Sequence, residues 1–105
     1  GLLFQLGVLH YSKGAHEKVI PILERAVAIN PNYSNALYFL GLSYDKLGNN
    51  EGALAAFQRI AALNPDNTDV KAIVTALTEG NSAFDVLGNT ATGVPTSGEL
   101  PVPQQ

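Results

Sequence analysis

The chain contains no cysteine, no methionine and no tryptophan. Without cysteine there is no disulfide, no thiolate metal site and no cysteine nucleophile. A cysteine-free chain is stable in either redox environment, so the compartment stays open. Charge is also sparse. Asp, Glu, Lys and Arg make up 14% of the 105 residues, below the usual quarter for soluble domains. The net charge is -3 and no basic run occurs, so the electrostatic footprint of a nucleic-acid binder is missing. No apolar stretch approaches the roughly 20 residues of a membrane-spanning helix, and direct membrane insertion is not expected. The first residues lack the charged-then-apolar form of a signal peptide. Gly1 opens inside an apolar pattern, and the chain reads as a piece of something longer.

Motifs that carry chemistry are missing too. Ser12, Ser34, Ser43, Ser82 and Ser97 have no Gly-x-Ser-x-Gly setting. There is no glycine-rich phosphate loop. The two histidines, His10 and His16, lack the convergent ligands that a metal needs. His10 is expected on a helix stripe, and His16 exposed near a helix start. Glu17, Glu24, Asp45 and Glu51 are expected to be solvated. No catalytic residue, cofactor or metal is therefore expected.

What is present is a repeat. Shifted by 34 residues, the sequence matches itself: Leu3 falls on Leu37, Leu6 on Leu40, Gly7 on Gly41 and Gly14 on Gly48. Glu17 falls on Glu51, Arg25 on Arg59, Ala28 on Ala62 and Asn30-Pro31 on Asn64-Pro65. Each period holds two helical segments. First helices are expected over residues 2–13 and 33–46, and second helices over 16–29 and 50–63. Leu37, Leu40, Tyr44 and Leu47 step by three and four residues and share one stripe. Gly14 and Gly48 suit a left-handed helix end. Pro31 and Pro65 stop the helices before them, and Asn32 and Asp66 are candidate N-caps for the next. The short connections make paired helices antiparallel. Mid-helix Gly7 and Gly41 cost about 0.5–1 kcal/mol each relative to alanine, which points to a helix packed too close for a side chain. Pro21 falls in the second turn of its helix, where a bend is expected rather than a break.

These features resemble the tetratricopeptide repeat. The second unit carries Leu40-Gly41, Tyr44, Gly48, Ala53, Phe57 and Pro65; the first carries Leu6-Gly7, Gly14, Ala26 and Pro31. His10, Val19 and Leu23 depart from the family's aromatic, small residue and Phe, and Leu3 and Leu37 replace its early Trp. The resemblance implies an all-α fold, an α-solenoid of two 34-residue helix-turn-helix repeats (residues 1–33 and 34–67) plus a C-terminal capping helix over 67–79. In that helix Val70, Ile73, Val74 and Leu77 make one apolar stripe and Lys71, Thr75 and Thr78 lie outside it, as the last unit of an array requires. Gly80 ends it. Residues 81–105 read as a Pro-, Gly-, Ser- and Thr-rich tail, mostly disordered, with one short turn over 82–87 and an extended Leu100-Pro101-Val102-Pro103.

The resemblance also implies a function, protein–protein interaction. In this family the first helices line a concave groove. Carried over, the groove residues are Phe4, Val8 and Tyr11 from the first unit and Asn35, Tyr38, Leu42 and Asp45 from the second. Some relatives clamp a ligand's terminal carboxylate with Lys, Arg and Asn; Phe4, Val8, Tyr38 and Leu42 stand at those places, so that clamp is absent. An apolar, Tyr-bearing groove suits an apolar peptide or an amphipathic helix. The alternative is a structural C-terminal end-piece of a larger protein, with a membrane-associated bacterial protein as the plausible parent. Leu2, Leu3, Phe4, Leu6, Val8 and Leu9 spread around the first helix. An apolar patch is expected there, covered by upstream repeats or by a second copy of the chain.

Overall fold

The computed structural model describes residues 1–87; the tail from Gly88, with its Leu100-Pro101-Val102-Pro103 segment, lies outside the described residues. Among the described residues there are six helices and no strand: α1 (Leu2–Ser12), α2 (His16–Ile29), α3 (Ser34–Lys46), α4 (Asn50–Leu63), α5 (Thr68–Thr78) and α6 (Ala83–Leu87). The short turn expected over 82–87 is a helix in its own right.

The glycines end the helices as their placement predicts. Gly14 and Gly48 have φ of 77° and 82°, a conformation that only glycine adopts without strain. In the first case the Gly14 amide donates to the Tyr11 carbonyl (3.0 Å) and the Ala15 amide to the His10 carbonyl (3.0 Å). Gly48 and Asn49 repeat this on Asp45 and Tyr44 at 3.0 and 2.8 Å. Both are the paired closure of a Schellman motif, which satisfies carbonyls that the helix end would leave open.

The starts of α3 and α5 differ from expectation by one residue. The caps are Tyr33 and Asn67, not Asn32 and Asp66. Each Asn-Pro pair opens a turn closed by a bond back to its Asn: the Tyr33 amide donates to the Asn30 carbonyl (3.1 Å), and Asn67 to Asn64 (3.0 Å). That turn uses one more residue before the helix begins. The Asn49 and Asn67 side chains cap α4 and α5 by accepting from the Gly52 and Val70 amides at 2.9 and 3.1 Å. α2 continues through Pro21 without a break.

Helices pair as hairpins, α1 with α2 and α3 with α4, while α2 packs on α3 and α4 on α5. The two glycines sit where the hairpins cross. A Cβ on Gly41 would lie 2.6 Å from Cε2 of Phe57, and one on Gly7 would lie 2.7 Å from Cγ of Leu23. Leu23 and Phe57, both fully buried, fill the same place one period apart. α3 is central, with every residue from Ser34 to Ser43 buried. α1 is peripheral; only Gly7 is buried.

Candidate functional site

Two sets of residues bear on partners, those expected to line a groove and those on the outer face of α1. The seven residues expected to line a groove are Phe4, Val8 and Tyr11 on α1 and Asn35, Tyr38, Leu42 and Asp45 on α3. Phe4, Val8 and Tyr11 on α1 are half-buried. The Phe4 ring lies 5.1 Å from Tyr33 and 6.0 Å from Phe39, and the Tyr11 ring lies 5.2 Å from Phe39 and 5.1 Å from His16. Tyr38 lies 5.4 Å from Phe39 and 5.8 Å from Phe57. Phe39, absent from the expected set, is thus the ring that Phe4, Tyr11 and Tyr38 share. Its signal in the sequence was an aromatic directly after Tyr38.

Three of the four from the second repeat are closed to solvent. Asn35, Tyr38 and Leu42 are each 1% exposed. Among the described residues the Tyr38 hydroxyl is buried without a hydrogen-bond partner. Burial, with Tyr11 and Asp69 nearby, holds its pKa well above the usual tyrosine value. Burial and the Asp45 charge push Tyr11 up to about 12.

Asp45 is not the solvated carboxylate expected. Its Oδ2 accepts from the Ser82 hydroxyl (2.6 Å) and from the Ala83 amide (2.9 Å), so α3 caps the start of α6. Ser82 and Asp85 complete a reciprocal cap. The Phe84 amide donates to Ser82 Oγ (3.1 Å), and the Ser82 amide to Asp85 Oδ2 (3.0 Å). Lys46 Nζ sits 4.3 Å over the Phe84 ring. His16 also departs from expectation. It is half-buried against Tyr11, and burial, then the Lys46 charge, lower its pKa against an opposing effect of Glu17.

The open end is the outer face of α1. Leu2, Leu6 and Leu9 lie one turn apart and are 83%, 42% and 47% exposed. This is the apolar patch that the first helix predicted. One period later, Ala36, Leu40 and Ser43 are 0%, 5% and 0% exposed, on the helix that α2 packs against. Two polar links add to that junction. The Tyr44 hydroxyl donates to the carboxylate of Glu24, which is exposed as expected. Arg59 Nη2 donates to the Pro31 carbonyl (2.8 Å). A shallow cleft of about 260 Å³ lies beside them, but Glu24 and Arg59 on its wall are engaged in these links.

No group of three His, Asp or Glu able to hold a metal occurs among the described residues. No helix among them is long and apolar enough to cross a membrane.

Comparison with known proteins agrees with the architecture. The family described as tetratricopeptide repeat matches residues 10–77. Superkiller protein 3 of Schizosaccharomyces pombe is 33% identical over 85 residues, 81% of this chain and 6% of that protein. Anaphase-promoting complex subunit 3 of the same yeast is 37% identical over 59 residues, 56% of this chain and 9% of that protein. Cellulose synthase operon protein C of Escherichia coli is 35% identical over 63 residues, 60% of this chain and 5% of that protein. The chain thus spans less than a tenth of the length of these relatives.

Proposed function

The chain belongs to the tetratricopeptide repeat family, whose repeats generally mediate protein–protein interaction or scaffolding, and on that premise we propose that it is a non-enzymatic piece closing a helical array and stacking, through the outer face of α1, on a preceding helix of a longer polypeptide. The observation that carries this reading is the row of exposed Leu2, Leu6 and Leu9 at places that are buried one repeat later. The opposite end supports it. Thr68, Asp69, Lys71, Thr75 and Thr78 are exposed on α5, a wet surface of the kind that ends arrays. The small share of each relative that the chain covers also suits a piece of an array. Fusing one further 34-residue repeat ahead of Gly1 should raise the thermal midpoint by several degrees and slow amide exchange in α1. An unchanged midpoint would refute the stacking role. Self-association through the same leucines is the competing outcome, read by sedimentation of wild type beside Leu6→Glu.

A second reading gives the concave groove an apolar peptide or an amphipathic helix, held by Phe4, Val8, Tyr11, Asn35, Tyr38, Leu42 and Asp45. The buried Tyr38 hydroxyl, without a partner among the described residues, supports it, because a ligand would supply one. Access to Asn35, Tyr38 and Leu42 requires their cover to move. An apolar peptide whose capture is lost in Phe4→Glu and kept in Leu6→Glu would establish this use. Capture indifferent to Phe4→Glu would dismiss it.

A further inference from the structure

Asn35, Tyr38, Leu42 and Asp45 share one stripe of α3, because steps of three and four residues return to the same side of a helix. One repeat earlier, Phe4, Val8 and Tyr11 hold the places of Tyr38, Leu42 and Asp45 and stay half-exposed. On α3, Asn35, Tyr38 and Leu42 are each 1% exposed. The described helices meet α3 mostly on its other sides. α2 reaches it at Tyr44 through Glu24, and α4 reaches it at Gly41 through Phe57, which also flanks Tyr38. α5 packs on α4 and α6 on α5, and the lead into α6 touches the stripe at Asp45 through Ser82 and Ala83. Asn35 and Tyr38 lie roughly 15 and 10 Å from Asp45 along the helix axis. Burial this complete calls for a cover beyond these contacts.

Resting on the second reading above, in which this groove takes an apolar peptide, we infer that the cover is the chain's own Leu100-Pro101-Val102-Pro103 segment. Its point of departure is right. α6 starts at Asp45, so the chain beyond it leaves from the foot of the stripe. Residues 88–100 span up to roughly 45 Å when extended, more than the longest dimension of the molecule, 31 Å. The chemistry also fits. The rings of Tyr33, Phe4, Phe39 and Tyr11 stand in a row, 5.1, 6.0 and 5.2 Å apart. Proline-rich segments dock on aromatic rows of this kind, because little ordering entropy is left for them to lose. The segment carries no charge, and Asp45, the charged member of the stripe, is already engaged by Ser82 and Ala83. Two prolines leave the segment with more carbonyls than N–H groups. A carbonyl there can accept from the Tyr38 hydroxyl, which is buried without a partner among the described residues. The groove is thus occupied from within. An outside peptide competes with a ligand held at an effective concentration on the order of millimolar.

The test uses the full chain. Because it has no cysteine, Gln104→Cys gives a single site for a nitroxide spin label. The label should broaden amide signals around Phe4, Tyr11 and Tyr38, and L100E/V102E should abolish that broadening. No broadening there, or broadening spread evenly over the surface, would overturn the inference. A labelled copy that broadens an unlabelled copy to the same degree would assign the cover to a second copy and overturn its source. A synthetic peptide of residues 97–105 should bind the L100E/V102E chain about tenfold or more tightly than the native chain, because the internal competitor is gone. Equal binding by both would dismiss the internal ligand and keep the groove reading. Binding by neither, with circular dichroism showing both chains folded, would remove the groove reading as well.

Discussion

Helices α1 and α3 hold the same place in successive repeats, and they share the Leu-Gly pair and a glycine-closed end. Their surroundings differ. α3 lies between α2 and α4, and its residues from Ser34 to Ser43 are buried. α1 has α2 on one side, touches α3, and has no helix on the other side among the described residues. Equivalent positions therefore carry different consequences: Leu40 is core, whereas Leu6 is surface. The pair teaches that in a stacked array burial belongs to the junction between repeats, not to the repeat.

The comparison breaks most sharply at its leucines. Leu40→Ala should cost about 2–5 kcal/mol, from lost transfer energy plus a cavity between packed helices. Leu6→Ala should cost less than about 1 kcal/mol in the chain alone, since little area is lost there. Urea unfolding of both variants checks this, and equal costs would mean that α1 is already covered.

The paired glycines give the next contrast. Gly41→Leu should destabilise by about 1–3 kcal/mol, because α3 is held from both sides against the Phe57 ring. Gly7→Leu should cost less, because α1 is free to move off α2. A thermal midpoint unchanged by Gly41→Leu would show that the helices separate there without penalty.

Tyr11 and Asp45 also occupy equivalent places, yet only Asp45 caps a helix. Asp45→Ala should cost about 0.5–2 kcal/mol, the usual range for a lost cap. Amide exchange should rise in Ala83–Val86 and stay unchanged in α1.

The smallest effect is on pH dependence. Burial is the main cause that raises Tyr11 and Tyr44 to about 12, with Asp45 acting on the first and Glu24 on the second. Unfolded tyrosine titrates near ~10, so the unfolded chain releases these protons first. Their contribution to stability is complete below that pH and lost as pH rises through the folded values. At the acid end His16 has the opposite sign. Its lowered pKa makes stability fall as pH drops below ~6.5. Denaturation midpoints of His16→Phe and Tyr44→Phe against pH separate the two ends.

Much of the fold was legible because repeats state their constraints twice. Gly7 with Gly41, Gly14 with Gly48, and Pro31 with Pro65 each mark a backbone requirement that no other residue meets as well, and one period aligns them. The N-caps were misplaced by one residue because Asn30 and Asn64 close a turn that propensity alone does not measure. The candidate site was read less well. Register put Phe4, Val8, Tyr11, Asn35, Tyr38, Leu42 and Asp45 on one face, but register carries no information about cover. Asp45 was assigned to water because its partner, Ser82, lies 37 residues away.

The sequence by itself determined the period, the five breaks between helices and the apolar face of α1, since each depends on residues within one or two turns of chain. Only the tertiary structure decided which copy of each repeated position is buried, because burial depends on the helix that arrives from elsewhere. It alone decided that Asp45 caps α6 and that Arg59 reaches Pro31, while Arg25 at the same place reaches nothing among the described residues. A periodic sequence prescribes equal units, and the ends of an array are where equal units meet unequal neighbours.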